Sequence, residues 1–267
     1  MMDVADIARD LGAEQHALDE VVAGLSDHEW SAPTPSPRWS VSHQIAHLLF
    51  FDRAAALAIE DPAGFADARA EHVAGMAGGM EAFESATLDP LIVDGPATLL
   101  DRWREGRRAL AEAAATLSNE SRVEWYGPSM SGRSFLTARL MECWAHGQDV
   151  VDAVGGERPP TDRLRHVAQL GFITRGWSYR NRGATPPEGD VRVDLLAPSG
   201  EVWTFGPAEA PVVVSGDAEQ FCLVVTQRRH VDDTALDVDG VGREWLLRAQ
   251  AFAGPPTDGP PAGGRSG

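Results

Sequence analysis

Two pairs of side chains in this 267-residue sequence have the types and spacing of metal ligands. Glu142-Cys143-Trp144-Ala145-His146 sets a carboxylate and an imidazole four residues apart, and His43-Gln44-Ile45-Ala46-His47 does the same with two imidazoles. On a helix that spacing puts both heads on one face, about one turn apart. Each pair can therefore reach one divalent cation, and inward-facing pairs on facing helices are how metal sites are built into helix bundles. The same spacing also serves an ordinary charged pair with no metal. The setting calls for a partner of some kind. His47 lies between Ile45-Ala46 and Leu48-Leu49-Phe50-Phe51, and His146 follows Trp144-Ala145. An imidazole is expensive to bury in apolar surroundings unless a metal or a hydrogen bond satisfies it. The remaining histidines, His16, His28, His72, His166 and His230, stand singly in polar sequence and read as surface or capping residues.

Composition removes several other chemistries. All 23 basic residues are arginine. A phosphate-loop lysine, a Schiff-base lysine and a pyridoxal-phosphate lysine are thereby excluded. With 40 acidic residues the formal net charge is −17, a poor footprint for nucleic acid, which needs a basic surface. Cys143 and Cys222 are too few and too far apart for a disulfide scaffold, and read as buried thiols in a reducing compartment. The start, Met1-Met2-Asp3-Val4-Ala5-Asp6, is acidic where a signal peptide would be basic. No apolar run approaches the ~20 residues of a membrane span. A cytoplasmic protein with no membrane partner is expected.

The elements that must position these residues follow from periodicity. Val4, Ile7, Leu11, Leu18, Val21, Val22 and Leu25 form the stripe of an amphipathic helix. After the breaks at Pro33, Pro35 and Pro37, a second helix runs from Val41 to about Ile59, with Ser40 as N-cap and Asp61-Pro62 as stop. Residues 63–94, interrupted by Gly75, Gly78 and Gly79, read as a short helix plus loop. Gly95-Pro96 opens a third long helix through Leu99, Leu100, Trp103, Leu110 and Leu117, and Trp125–Pro128 reads as a loop. A fourth helix spans about Ser134–Val154 and ends at Gly155-Gly156. Four long helices predict a bundle within residues 1–155.

Beyond Pro159-Pro160 the period changes. A helix is expected around Leu164–Tyr179, and strands at Val191–Leu195, Val202–Phe205, Val212–Val214 and Ala235–Val238. Ala218–Arg229 and Gly242–Phe252 read as helices, making residues 160–253 a small α+β domain. The Gly/Pro-rich stretch 254–267 is expected to be a disordered tail.

Several of these motifs carry a family resemblance over nearly the whole chain. Trp39-Ser40-Val41 followed by Ala46-His47-Leu48, and Glu142-x-x-x-His146 followed by Gly147-Gln148-Asp149, resemble the second and fourth helices of the DinB-like metal-binding superfamily. The likeness is closest to the N-terminal domain of mycothiol-dependent maleylpyruvate isomerases. Gly216-Asp217-Ala218, Cys222 to Arg229, Leu236-x-Val238-x-Gly240 and Trp245 to Pro256 resemble a bacterial branch known only as metal-binding, some of whose members carry the name of wyosine base formation, a tRNA modification. The charge of −17 argues against a tRNA partner here.

The resemblance implies a metal, zinc or a similar divalent ion, held by His47, Glu142 and His146. Three protein ligands leave a position open, as in catalytic sites. His43 departs from the family pattern and is either a fourth ligand or a residue of the helix N-terminus and outer shell. Asp149 either orients a ligand or incoming thiol, or is a solvated acid in the last helical turn. The family's second-domain arginine corresponds to Arg228, which would hold substrate carboxylates; its alternative is one half of a surface Arg228-Arg229 pair. The implied chemistry is that of mycothiol or another low-molecular-weight thiol. The thiolate adds to an activated double bond, the resulting single bond rotates, and elimination returns the isomer. Transfer of the thiol to a small electrophile would use the same groups. The second domain resembles sterol-carrier-like modules, which leaves open a non-enzymatic binder of small molecules or lipids. A hydrolase using metal-bound hydroxide, with no thiol, is a third reading. The protein is expected to act as a monomer or homodimer.

Overall fold

Periodicity becomes packing first in the helix α1 (Val4–Ala23), which buries Val4, Ile7, Leu11, Leu18 and Val22 along one side. The computed structural model describes residues 2–75, 78–238 and 240–265, in two units, Met1–Arg158 and Pro159–Gly267. In the first unit a single turn α2 (Asp27–Trp30) precedes α3 (Val41–Glu60). Asp61-Pro62 ends α3, and Pro62 opens α4 (Pro62–Gly75), a position where its missing N–H costs nothing. α5 (Met80–Ile92) follows, entered through Gly79 at φ +90°. The glycines therefore separate two helices, where the sequence predicts one short helix and a loop. α6 (Pro96–Ala114) starts after Gly95, also at positive φ, and buries Leu99, Trp103 and Leu110. The Trp125–Pro128 loop is closed by a two-stranded ribbon, β1 (Arg122–Val123) with β2 (Met130–Ser131), whose strands are too short to announce themselves in sequence. α7 (Gly132–Val154) ends at left-handed Gly155.

The four long helices pack in a ring: α3 contacts α6 and α7, and α1 contacts α7 and α6. Leu18, Val22, Ile45, Leu48, Leu49, Leu99, Trp103, Cys143 and Val150 form the core between them. Burial of each such side chain contributes roughly 1.5–3 kcal/mol. α7 is buried along most of its length, from Phe135 to Val151. The residues that α3 and α7 turn toward each other are thus held by the packing of the whole unit.

The second unit contains α8 (Leu164–Ile173), α9 (Arg175–Arg180) and a three-stranded sheet in the order β4-β3-β5. β3 (Val191–Leu196) pairs antiparallel with β4 (Val202–Phe205) and parallel with β5 (Val212–Asp217). The helices α10 (Ala218–Val225) and α11 (Gly240–Leu246) complete it. The mixed α+β class expected from the sequence is what the chain adopts. Details differ. The helix predicted over 164–179 breaks at Thr174. The strand predicted at 235–238 reduces to one bridge between Ser215 and Asp237. α11 stops at Leu246 instead of reaching Phe252.

In the stretch 254–265, where composition predicts a disordered tail, Gly254, Thr257 and Gly263 have hydrogen-bond partners within the second unit. Asn181 Nδ2 donates to the Gly254 carbonyl at 3.0 Å, Gln227 Nε2 to Thr257 at 2.8 Å, and the Gly263 N–H to Asp233 at 2.8 Å. These hydrogen bonds join backbone groups of the stretch to side chains of the second unit, contacts that hydrophobicity does not signal. Among the described residues no helix is long and apolar enough to cross a membrane.

Candidate metal centre

α3 and α7 pack side by side and carry the three candidate ligands. His47 comes from the second turn of α3, Glu142 and His146 from successive turns of α7. Both imidazoles turn Nε2 toward one carboxylate oxygen. Glu142 Oε2 is 3.1 Å from His146 Nε2 and 3.7 Å from His47 Nε2. One donor atom from each of the three residues lies within 4.8 Å of the others, and no other such trio occurs among the described residues. The rings of His47 and His146 are 4.3 Å apart.

The electrostatics put His47 and Glu142 in ligating form. Burial, helped by the neighbouring His146 and Arg139, lowers the His47 pKa to about 4 against the opposing pull of Glu142. Burial works against ionisation of Glu142, yet hydrogen bonds from His146 and His47 hold its carboxyl well below the usual range. At neutral pH the site thus offers a neutral His47 and a carboxylate, the states a cation requires.

Aromatic and polar groups frame these residues. Trp39 lies 5.1 Å from His47 and stacks on His146 at 5.8 Å with the planes 21° apart. Phe51 packs 4.6 Å from His47. Gln44 Oε1 stands 2.6 Å from His146 Nδ1. One turn along α3, the buried Asp52 meets Arg139 of α7 at 3.0 Å.

The other candidates are placed differently. His43 does not join the trio. Its Nδ1 accepts the Ser40 N–H at 3.2 Å, capping α3, and its Nε2 is 3.4 Å from Asp89 of α5. Asp149 is no solvated acid: it is 1% exposed, accepts the Ser36 hydroxyl at 3.1 Å and lies 4.0 Å from His146 Nδ1. Arg228 belongs to the second unit, just past α10, where its Nη1 donates to the Thr226 carbonyl at 2.6 Å. The preceding Gln227, at φ +62°, turns the chain there.

Sequence reasoning missed Gln44, Phe51 and His72. His72, read as a surface residue, packs 4.5 Å from Tyr126 and 5.6 Å from Phe50, and burial lowers its pKa. Gln44 and Phe51 carried a usable signal, since they flank His47 at spacings of three and four and share its helical face.

A family model, that of the mycothiol maleylpyruvate isomerase N-terminal domain, matches residues 11–151. The chain belongs to this family. The matched segment contains all three candidate ligands. Two uncharacterized proteins of Mycobacterium tuberculosis are each 45% identical to this family member over 262 residues, 97% of this chain and 100% of theirs. Solved structures of the mycothiol-dependent maleylpyruvate isomerase and of a mutant of it share the fold. Both have a TM-score of 0.55, cover 85% of this chain and 90% of theirs, and are 19% and 18% identical.

Proposed function

We propose that this protein is a metal-dependent enzyme that uses mycothiol, or another low-molecular-weight thiol, to isomerise or conjugate a small electrophilic substrate. One observation carries the reading: donor atoms of His47, Glu142 and His146 converge within 4.8 Å inside the segment that matches the family. The donor set fits zinc or a similar divalent ion. Ligands on a tetrahedral zinc with bonds of about 2.0–2.2 Å stand about 3.3–3.6 Å apart, and Glu142 already lies 3.1 and 3.7 Å from the two imidazoles. Bound there, the ion would supply Lewis acidity and favour the thiolate form of an exogenous thiol.

The chain's own residues set the conditions. Glu142 offers the negative charge, His47 stays neutral at working pH, and the Trp39 and Phe51 rings pack beside His47. Capping of α3 by His43 supports a three-ligand site with a position left for thiol or substrate. A purely binding protein with a closed site would need a fourth ligand. Arg228 is the residue assigned to an anionic substrate group, because a bidentate guanidinium suits carboxylates and no lysine exists to replace it. In the same reading the four long helices of the first unit form a DinB-like bundle and the second unit is sterol-carrier-like.

The test is metal analysis of purified protein, followed by turnover assays of a cis-configured, maleylpyruvate-like electrophile. Conversion that needs both zinc and mycothiol supports the proposal. Turnover with zinc alone would favour a hydrolase, and stoichiometric ligand binding without turnover a binding protein.

A further inference from the structure

Between α2 and α3 the chain makes a proline-rich turn, and this turn is built around His146. Trp39 stacks its ring on the His146 imidazole. Ser36 donates to Asp149, three residues beyond His146 on α7. Arg38 sits in the left-handed region at φ +70°, its guanidinium tied to Glu81 and Glu84 at 3.0 and 2.9 Å. A non-glycine residue pays strain for that conformation, so the surrounding contacts hold the turn in place.

The hydrogen bonds of the turn have a fixed direction. The Trp39 carbonyl can only accept. Thr34 Oγ1 donates to it at 2.9 Å, using its one proton, and therefore accepts from Gln44 Nε2, also at 2.9 Å. With its nitrogen facing Thr34, the Gln44 amide must point Oε1 at His146 Nδ1, 2.6 Å away. A carbonyl oxygen cannot donate, so the proton between them belongs to Nδ1. His146 Nε2 then faces Glu142 and His47. The other acceptor near Nδ1, Asp149, is at 4.0 Å and is beyond hydrogen-bond reach.

We propose that Gln44, oriented by Thr34, is a positioning residue that holds a proton of His146 on Nδ1 and so leaves Nε2 as the nitrogen that faces Glu142 or a metal. Gln44 is fully buried and touches neither His47 nor Glu142 by hydrogen bond, so it acts through His146 alone. The value of the arrangement for zinc rests on the metal reading above, but the place of the proton does not.

The experiment has two arms. In the first, ¹⁵N-histidine NMR of metal-free and zinc-loaded protein reports which ring nitrogen of His146 carries hydrogen. Nδ1 is expected to be protonated in both; in Gln44→Leu the metal-free ring is expected to carry hydrogen on Nε2 alone, facing Glu142. In the second, competition with a chromophoric chelator measures zinc affinity. Gln44→Leu is expected to weaken it about 10- to 100-fold, the usual effect of losing a ligand's hydrogen-bond partner, with helical circular dichroism unchanged. Gln44→Glu, which keeps an acceptor at the same place, should restore most of it. If Gln44→Leu fails to fold, Thr34→Val frees the amide to flip and takes the same two readouts. A bare Nδ1 in the wild type, or a Gln44→Leu protein that binds zinc as tightly as wild type, overturns the proposal. A wild type that binds no zinc overturns the metal reading instead, and the NMR arm still decides the proton.

Discussion

Arg139 of α7 and Asp52 of α3 form an ion pair 3.0 Å long with both side chains buried, about one turn of each helix from the candidate ligands. The other Asp52 oxygen accepts from Gln15 Nε2 of α1 at 2.9 Å and Trp103 Nε1 of α6 at 3.2 Å. One carboxylate therefore meets a side chain from each of the other three long helices. Burial pushes the Asp52 pKa up, against the pull of Arg139, Trp103 and Gln15.

Breaking that node should be costly. Asp52→Leu leaves the Arg139 charge buried without its carboxylate, a loss of about 3–5 kcal/mol. Thermal melts should show a midpoint lower by roughly 6–20 °C. The double variant Asp52→Leu with Arg139→Met removes both charges and should recover most of the loss. A single variant as stable as wild type would contradict this account of the pair.

Removing a ligand should have a different signature. His47→Ala is expected to lose zinc while keeping its helical content. The core contributes roughly 1.5–3 kcal/mol per buried side chain, and Leu18, Ile45, Leu49, Leu99 and Trp103 remain in place. Equilibrium dialysis followed by metal analysis, with circular dichroism on the same sample, separates the two outcomes.

How far the sequence reaches is clearest at these residues. Glu142 and His146 are four apart on one helix, so their shared face follows from local geometry alone. Asp52 and Arg139 are 87 residues apart, and Gln44 and His146 are 102 apart. No local pattern links such residues, and each by itself looks like an ordinary polar residue in a helix. The same division runs through the fold. The apolar stripes of α1, α3, α6 and α7 read directly, whereas α5 carries an internal Pro90 and a weak stripe that its sequence does not reveal. The contacts of the C-terminal stretch are equally hard to read, because side-chain amides elsewhere in the second unit, Asn181 and Gln227, meet its carbonyls.

Acid should destabilise the metal-free protein through His47. Its pKa is about 4 in the folded chain and about 6.5 when exposed. Between these values the unfolded chain takes up a proton there and the folded chain does not. The stabilisation is full above pH 6.5 and is lost as pH falls toward 4. Glu142, held well below the usual carboxylate range, acts in the same direction at lower pH. Urea melts from pH 7 to pH 4 on wild type and on His47→Leu isolate the histidine: the stability difference between the two should shrink as pH falls. A difference independent of pH would sink the assignment.

Arg228 is tested by affinity. Arg228→Ala should leave zinc content and melting unchanged and weaken an anionic substrate or inhibitor roughly 10- to 150-fold, the worth of a charge-assisted hydrogen bond. Arg228→Lys should recover only part, since an ammonium lacks the planar fork. Equal affinity in all three proteins, read by titration calorimetry with a dicarboxylate, would show that Arg228 does not hold the anion.

The position of Trp39 has an optical consequence. Its indole is 5.1 Å from His47 and 5.8 Å from His146, so its emission senses whatever those imidazoles bind. An open-shell ion such as cobalt(II) or copper(II) should quench it and zinc should not, and the quenched component should be missing from Trp39→Phe. The residue that packs the site is also its intrinsic fluorescent reporter, through which metal exchange can be followed in real time without a label.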